Sequence, residues 1–148
     1  MWISARTQYG LRALVQLAAR GEVTPLKTLA HLQNISEGFL EQIFADLKRL
    51  GFVSATRGLW GGYRLTRAPA GITAWEVVAA LEGGLDPVDC LSLPALCAQS
   101  GVCATQTLWG EVESEVRRVL ESVTLEALVG EHRALEHRKL VQLEPPPP

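Results

Sequence analysis

Three cysteines are the residues of this chain with the most distinctive chemistry. Cys90, Cys97 and Cys103 are its only cysteines, separated by six and then five residues. An odd number cannot pair fully in disulfides, and the spacing lacks the C-x-x-C pairs of structural zinc sites. Three thiolates in one loop suit a soft metal such as zinc, copper(I) or an iron–sulfur cluster. Free cysteines also serve as small buried hydrophobic residues, and a redox-sensing thiol pair is a third interpretation, so the spacing leaves the chemistry open.

A second group of residues has the chemistry of DNA recognition. Gln42 can pair with adenine, and Glu41 can accept a hydrogen bond from the amino group of cytosine. Arg57 is the candidate for insertion into a minor groove, and Lys48 and Arg64 are candidates for phosphate contacts. The full candidate set for DNA binding is Ser36, Glu37, Gly38, Phe39, Glu41, Gln42, Lys48, Arg57, Gly58, Gly61, Gly62, Tyr63 and Arg64.

These residues lie on elements that the sequence places in a recognisable order. Thr24 is predicted to cap a short helix that begins at Pro25, and Ser36 is predicted to cap a second helix that ends at Gly51. Two β-type runs follow, at residues 52–56 and 63–66, around a glycine-rich basic tip. A helix, a turn, a helix and a basic hairpin predict a winged helix-turn-helix, so the fold class is mainly α with a small β-hairpin wing.

The flanking segments complete the predicted organisation. Residues 1–82 form the DNA-binding domain, with a first helix capped by Ser4 and a later one opened by a Thr73–Glu76 capping box. Residues 83–103 form the cysteine-bearing loop, and residues 104–130 contain a long amphipathic helix and a terminal turn. Residues 131–148 are charged and end in prolines; the tail is predicted to be disordered, although its charged part could extend a helix.

The long helix, predicted over residues 105–121, presents an apolar stripe that needs a partner. The stripe consists of Leu108, Val112, Val116, Val119 and Leu120. Packing within the same chain is one solution, and a homodimer is the other. We favour the homodimer, because one winged helix reads few base pairs and symmetric dimers read palindromic operators.

The charge is distributed unevenly along the chain. Residues 1–80 contain nine Lys or Arg and five acidic residues, whereas residues 81–148 contain five basic and eleven acidic residues. A basic front half suits double-stranded DNA, because neutralisation of phosphates supplies most sequence-independent binding energy. The net charge is only −2, so the basic surface must be local.

Length and composition limit the class of protein. A chain of 148 residues with 47% apolar content predicts a folded domain of ordinary size with a real hydrophobic core. No apolar run approaches the roughly 20 residues that span a bilayer. Arg6, Arg12 and Arg20 interrupt the apolar residues of the N-terminus, which is typical of an amphipathic helix rather than a signal peptide. We therefore expect a cytoplasmic protein without a membrane partner.

These motifs are similar to those of the IscR/NsrR-type family of bacterial winged-helix transcriptional regulators. The resemblance covers about residues 1–129, and its most specific stretches are L-E-Q-I-F at 40–44 and R-G-x-x-G-G-Y-x-L at 57–65. Many members carry an iron–sulfur cluster, and by resemblance Cys90, Cys97 and Cys103 match the cluster-ligating cysteines. The nuclearity, 2Fe-2S or 4Fe-4S, stays open.

The resemblance also points to two positions for a fourth cluster ligand. Some members have a histidine three residues after the last cysteine, where this chain has Gln106. Others use an acid in the first helix, where this chain has Gln8. An external thiol or water is the third option for the fourth coordination position.

The combined prediction is a homodimeric DNA-binding transcription regulator. Its three-cysteine loop would sense iron–sulfur cluster status, redox state or nitric oxide. One alternative is a cluster-free winged-helix regulator that responds to a metabolite or a protein partner. A more remote one is a small iron–sulfur electron carrier, against which the DNA-binding motif argues. An enzyme is not expected, because the sequence contains no nucleophile–base pair and no phosphate-cradling loop.

Overall fold

The winged helix-turn-helix forms the body of the protein in a computed structural model that describes residues 3–143. Three helices come first: α1 (Ala5–Arg20), α2 (Leu26–Gln33) and α3 (Glu37–Arg49). The antiparallel strands β1 (Val53–Thr56) and β2 (Gly62–Leu65) follow and form the wing. The remaining helices are α4 (Ala74–Glu82), α5 (Asp89–Ser92), α6 (Ala104–Glu121) and α7 (Leu125–Leu143). The predicted fold class, mainly helical with a small hairpin, is confirmed.

Local capping explains where several helices begin. The Oγ atoms of Ser4 and Ser36 accept hydrogen bonds from the backbone N–H groups of Thr7 and Phe39, each at 3.2 Å. Thr73 and Glu76 bond each other's backbone at the start of α4, which is the predicted capping box. Each side chain satisfies an N–H group that has no partner within its helix.

The core lies where α1, α2, α3 and the base of the wing meet. Its fully buried side chains include Leu14, Leu17, Leu29, Leu40, Ile43, Phe44, Leu47 and Val53. Ile72 and Val77 extend this core toward α4, and Leu125 extends it toward α7. The apolar positions of α3 recur at helical spacing, so one face is buried and the opposite face remains available.

The predicted cap of α2 is wrong by one residue. The N-cap is Pro25, and no side chain caps this helix. Thr24 instead forms a β-bridge with Tyr63: its N–H donates to the Tyr63 carbonyl at 2.9 Å, and its carbonyl accepts from the Tyr63 N–H at 2.8 Å. Because the wing uses the backbone of Thr24, this residue ties the wing to the start of α2.

The C-terminal helix differs most from the sequence-based prediction. The predicted terminal turn is the beginning of α7, which continues through residues 131–143, where a disordered tail was predicted. Leu125 and Val129 are buried, and an Arg133 Nη2–H group donates to the Ala19 carbonyl of α1 at 3.0 Å. Helix-forming residues and this anchor explain the extension. The proline run at 145–148 lies outside the described residues.

The segment predicted as a loop at 83–103 contains the short helix α5 and a 3-10 turn at Pro94–Leu96. Across residues 3–143, no helix combines the length and the apolar character that crossing a membrane would require.

Candidate nucleic-acid interface and cysteine loop

The outer face of α3 carries most of the residues predicted to read DNA. This face is exposed and includes Ser36, Glu37, Gly38, Glu41 and Gln42. Lys48 is also exposed, near the C-terminal end of the helix. The exposed side chains of Glu41 and Gln42 can therefore reach base edges if α3 enters a major groove.

Two predicted contact residues support the interface instead of forming its outer face. Phe39 is half-buried, and its ring packs edge-on against Tyr9 of α1 with ring centres 6.0 Å apart. Tyr63 is half-buried as well, and its ring packs edge-on against Phe44 at 4.9 Å. Phe39 thus fixes α3 on α1, and Tyr63 fixes the wing on α3.

The wing is a hairpin with a tight tip. Thr56 pairs with Gly62, and between them the Gly61 N–H donates to the Gly58 carbonyl at 3.0 Å. Gly58 has a φ of 110°, which favours glycine. Arg57 and Arg64 are exposed on either side of the tip, so both are free to approach a polyanion.

Gly61 and Gly62 are required by close contacts of the backbone. A Cβ atom on Gly61 would lie 2.4 Å from the Thr56 carbonyl oxygen, and one on Gly62 would lie 2.4 Å from the carbonyl group of Thr24. The G-G pair therefore lets the wing pack against its own first strand and against the start of α2.

A groove of about 410 Å³ joins the wing to the helix-turn-helix. It is lined by Glu37 and Glu41 of α3, by Gly58, Gly61 and Gly62 of the wing, and by Lys27 at the start of α2, among other residues. Lys27 was missing from the predicted set because it lies far from the wing in sequence. It is exposed and contributes a positive charge to a groove that also contains two acids.

Two basic residues of this region form ion pairs within the protein. Asp46 on α3 forms ion pairs with Arg6 of α1 and with Arg49. These pairs join α1 to α3 and engage Arg49. Lys48 and Arg49 are both exposed, but the Arg49 guanidinium pairs with Asp46, so Lys48 is the freer of the two to contact a phosphate.

The three cysteines lie on consecutive segments that lead into α6. Cys90 is in α5, Cys97 follows the 3-10 turn, and Cys103 is the N-cap of α6; all three are half-buried free thiols. No group of three or more His, Cys, Asp or Glu side chains in residues 3–143 is arranged to hold a metal ion. The thiols have the right chemistry for an iron–sulfur cluster, but this conformation does not bring them together around one.

Gln106 joins two of these segments. Its Nε2 donates to the Cys90 carbonyl at 3.0 Å, and its Oε1 accepts from the Gly101 N–H at 3.2 Å. Gln8, the other candidate for a fourth cluster ligand, donates from Nε2 to the Ile3 carbonyl at 2.8 Å. Gln106 thus lies beside the cysteines and closes the loop onto α6, whereas Gln8 bonds to its own chain terminus.

The thiol of Cys103 has a favourable environment for its charged form. Its Sγ lies 3.1 Å from the Oγ1 of Thr105. The hydroxyl of Thr105, followed by the backbone N–H groups of Gln106 and Thr105, lowers the pKa of Cys103 from its ordinary value. Hydrogen bonds to a thiolate stabilise it, so the charged form of Cys103 is favoured at a lower pH than that of an ordinary thiol.

The helix that follows the loop leaves part of its apolar face exposed. No residue of α6 is buried, and Leu108, Trp109 and Val119 are 50%, 38% and 52% exposed. The helix packs on α4, where the Arg117 guanidinium lies 5.0 Å from the ring centre of Trp75. The single chain therefore covers Val112, Val116 and Leu120 of the predicted apolar stripe in part and leaves Leu108 and Val119 exposed.

The exposed helix face and the basic wing define a winged-helix DNA-binding protein. Residues 3–131 match the family described as Rrf2, iron-dependent transcriptional regulator. The chain belongs to this family, which confirms the resemblance found in its motifs.

Two regulators illustrate the relationship. The HTH-type transcriptional regulator CymR of Bacillus subtilis is 38% identical over 132 residues, which cover 88% of this chain and 91% of CymR. The solved structure of CymR, described as the global cysteine regulator of B. subtilis, superimposes with a TM-score of 0.77 at 34% identity, covering 88% of this chain and 98% of that one. The structure of T. potens IscR superimposes with a TM-score of 0.72 at 30% identity, covering 89% of this chain and 88% of that one. The protein is accordingly a DNA-binding transcriptional regulator and not an enzyme.

Proposed function

We propose that this regulator binds a palindromic DNA operator as a homodimer and that its cysteine loop controls its affinity for DNA. The observation that carries the proposal is the position of Cys103, a thiol with a lowered pKa at the first turn of the uncovered helix α6. A chemical change at the loop would act directly on the helix proposed to join the two subunits.

The DNA-binding half of the proposal assigns separate tasks to α3 and the wing. The exposed Gln42 and Glu41 discriminate between base pairs, whereas Lys27, Lys48, Arg57 and Arg64 contact phosphates or the minor groove. Glu37 and Glu41 face the same groove as Lys27 and repel misplaced phosphates, so they favour correct registration of α3 on its site.

The dimer is supported by the apolar residues of α6. Packing this helix against its copy across a two-fold axis would remove Leu108, Val112, Val116, Val119 and Leu120 from water. Apolar burial is the main favourable term in association, and a dimer presents two α3 helices to the two halves of an operator.

For the signal, the first candidate is an iron–sulfur cluster held by Cys90, Cys97 and Cys103, as the family resemblance implies. In this conformation the three thiols do not lie together around one site. Cluster binding would therefore require the segments that carry the three cysteines to rearrange. Such a coupling of metal binding to loop order is common in small metal sites.

The second candidate is a cluster-free thiol signal, which the hydrogen bonds of Gln106 and the lowered pKa of Cys103 favour. The Cys103 thiolate would attack one sulfur of a small disulfide such as oxidised glutathione. A mixed disulfide forms, the disulfide bond of the oxidant breaks, and its other half leaves as a thiolate. The added group would displace the first turn of α6.

Anaerobic reconstitution with iron and sulfide distinguishes the two candidates. Cluster binding predicts broad visible absorption, bound iron and sulfide, and loss of colour in Cys90→Ser, Cys97→Ser and Cys103→Ser. The thiol signal predicts no bound iron and a change of DNA affinity on adding oxidised glutathione, which dithiothreitol reverses and Cys103→Ser abolishes. The proposed sensor would be contradicted if the protein binds no cluster and its affinity for DNA does not change when oxidised glutathione is added.

A further inference from the structure

The tip of the wing presents two large apolar side chains to solvent. Leu59 is 91% exposed and Trp60 is 88% exposed, which are the highest values for large hydrophobic residues within residues 3–143. Exposed apolar surface is unfavourable in water, and adjacent exposed apolar side chains are candidates for a contact site. Neither residue packs into the protein, so both side chains are available to a partner.

The backbone holds both side chains at the corner of the hairpin. The hydrogen bond from the Gly61 N–H to the Gly58 carbonyl closes a turn in which Leu59 and Trp60 are the two central residues. The positive φ of Gly58 lets the chain reverse within this short segment. The turn thus projects the two apolar side chains beyond both strands.

The base of the wing fixes the tip relative to α3. The two hydrogen bonds between Thr24 and Tyr63 join the hairpin to α2, and the ring of Tyr63 rests on Phe44 of α3. When α3 occupies a major groove, a wing held in this way reaches the adjoining minor groove or backbone. The exposed Arg57 precedes the turn and supplies the positive charge that favours the same location.

We propose that Leu59 and Trp60 form an apolar wedge that enters the minor groove and partly unstacks a base step there. This inference rests on the proposed DNA-binding function of α3 and the wing. Apolar side chains inserted between base pairs kink the duplex, and pyrimidine–purine steps such as TA and CA deform at the lowest cost. The wedge would therefore select flexible sequences at positions that α3 does not contact.

The test uses the full-length protein and a duplex selected by the wild type from a random library. The base step facing the wing, located by footprinting, is then varied between TA or CA and a stiff A-tract. Affinity, bending by energy transfer between the duplex ends, and the salt dependence of binding are measured for wild type, Leu59→Ala, Trp60→Ala and Trp60→Phe. Leu140→Ala, which shortens another exposed leucine at 64% exposure on α7, is the matched control.

The wedge predicts that wild type prefers and bends the flexible duplex. Trp60→Ala should bind that duplex about tenfold more weakly, the effect expected when one aromatic ring no longer stacks on a base. It should bend the duplex less and no longer prefer the flexible step, while the salt dependence, set by phosphate contacts, stays unchanged. Trp60→Phe should retain most of the bend, and Leu140→Ala should behave as wild type.

Other results would overturn the wedge. If the wild type does not bend the duplex, or if wild type and Trp60→Ala bind it with equal affinity, the wedge is wrong but the proposed DNA-binding function is not affected. If Trp60→Ala sediments as a smaller species than wild type and bends DNA normally, a second copy of the chain covers the tip instead. Failure of the wild type to bind any duplex would contradict the proposed DNA-binding function itself, together with the wedge that rests on it.

Discussion

At the scale of single residues, position on an element decides which of several similar side chains is reactive. Cys90, Cys97 and Cys103 have the same chemistry, but only Cys103 is the N-cap of a long helix and lies beside the hydroxyl of Thr105. The first turn of a helix has unpaired N–H groups and a partial positive charge, and both stabilise a thiolate. We therefore expect the most reactive thiol of the loop to lie where the loop joins α6.

Cys103 should react with iodoacetamide faster than Cys90 and Cys97 near neutral pH. Because its pKa is lowered, its rate should reach a plateau at a pH below the ordinary range of thiols and fall as the solution becomes more acidic. Thr105→Val removes the hydroxyl that contributes most to the lowered pKa of Cys103, so the dependence of the alkylation rate on pH should move to higher pH. Mass spectrometry of timed alkylation measures each cysteine separately; equal rates at all three would disprove the assignment.

The DNA-facing residues differ in what they contribute to binding. Arg57→Ala should weaken binding to specific and random duplexes alike and lower the slope of log affinity against log salt by about 0.9 for each phosphate that Arg57 neutralises. Gln42→Ala should leave that slope unchanged and cost about 1–3 kcal/mol on the preferred site only. Arg138→Ala removes an exposed arginine of α7 and serves as the charge control. If all three variants keep the salt slope and the sequence preference of the wild type, Arg57 does not contact phosphates and Gln42 does not recognise a base.

At the scale of elements, the sequence predicts the features that depend on interactions between residues close together in the chain, such as helix caps. Ser4, Ser36 and Thr73 bond to N–H groups three residues further along, so each cap is visible in the sequence. Thr24 and Gln106 could not be assigned in this way. Thr24 pairs with Tyr63 of the wing, which is distant in sequence, and Gln106 bonds to Cys90, 16 positions away. The length of α7 likewise depends on tertiary contacts, including the Arg133–Ala19 hydrogen bond.

The capping box of α4 should make part of the stability depend on pH. The Thr73 backbone N–H and then Arg67, opposed by partial desolvation, lower the pKa of Glu76. A lowered folded-state pKa stabilises the protein above the unfolded value of about 4.5, and this contribution disappears as the pH falls through the folded value. Glu76→Gln should therefore lower the free energy of unfolding at pH 7 and have less effect at pH 3.

Thr73→Ala separates the cap from the charge. It removes the hydroxyl that accepts from the Glu76 N–H, at a cost of about 1 kcal/mol. Urea denaturation of the wild type and both variants at the two pH values measures these effects. An equal destabilisation by Glu76→Gln at pH 7 and pH 3 would mean that the carboxylate charge does not contribute.

At the scale of the whole molecule, the DNA-facing surface and the exposed face of α6 have different proposed partners. The exposed face of α3 and the wing tip are assigned to DNA, whereas α6 exposes apolar residues directly after the cysteine loop. Thr73 pairs with Thr124 across the base of α4 and α7, and α4 in turn packs on α1 and α6. A displacement of α6 could therefore be transmitted to the helix-turn-helix through the contacts of α4 with α6 and α1.

The dimer proposal predicts that a charge on the apolar stripe of α6 separates the subunits. Leu108→Glu and Val119→Glu place a carboxylate at positions that are about half exposed in the single chain, so their cost to the fold of the subunit should be small. In a dimer the same carboxylates would be buried without a partner, which is strongly unfavourable. Both variants should therefore sediment as folded monomers at micromolar concentration, whereas the wild type should sediment as a dimer.

Separation of the dimer should also weaken DNA binding by at least roughly tenfold, because a monomer engages only one half of a palindromic operator. The matched control is Ser114→Glu, which adds the same charge at an exposed position on the other side of α6. It should sediment as the wild type does and keep its affinity for the operator. Circular dichroism confirms that each variant is folded. A wild type that is monomeric at micromolar concentration, or charged variants that remain dimers, would show that α6 does not join the subunits.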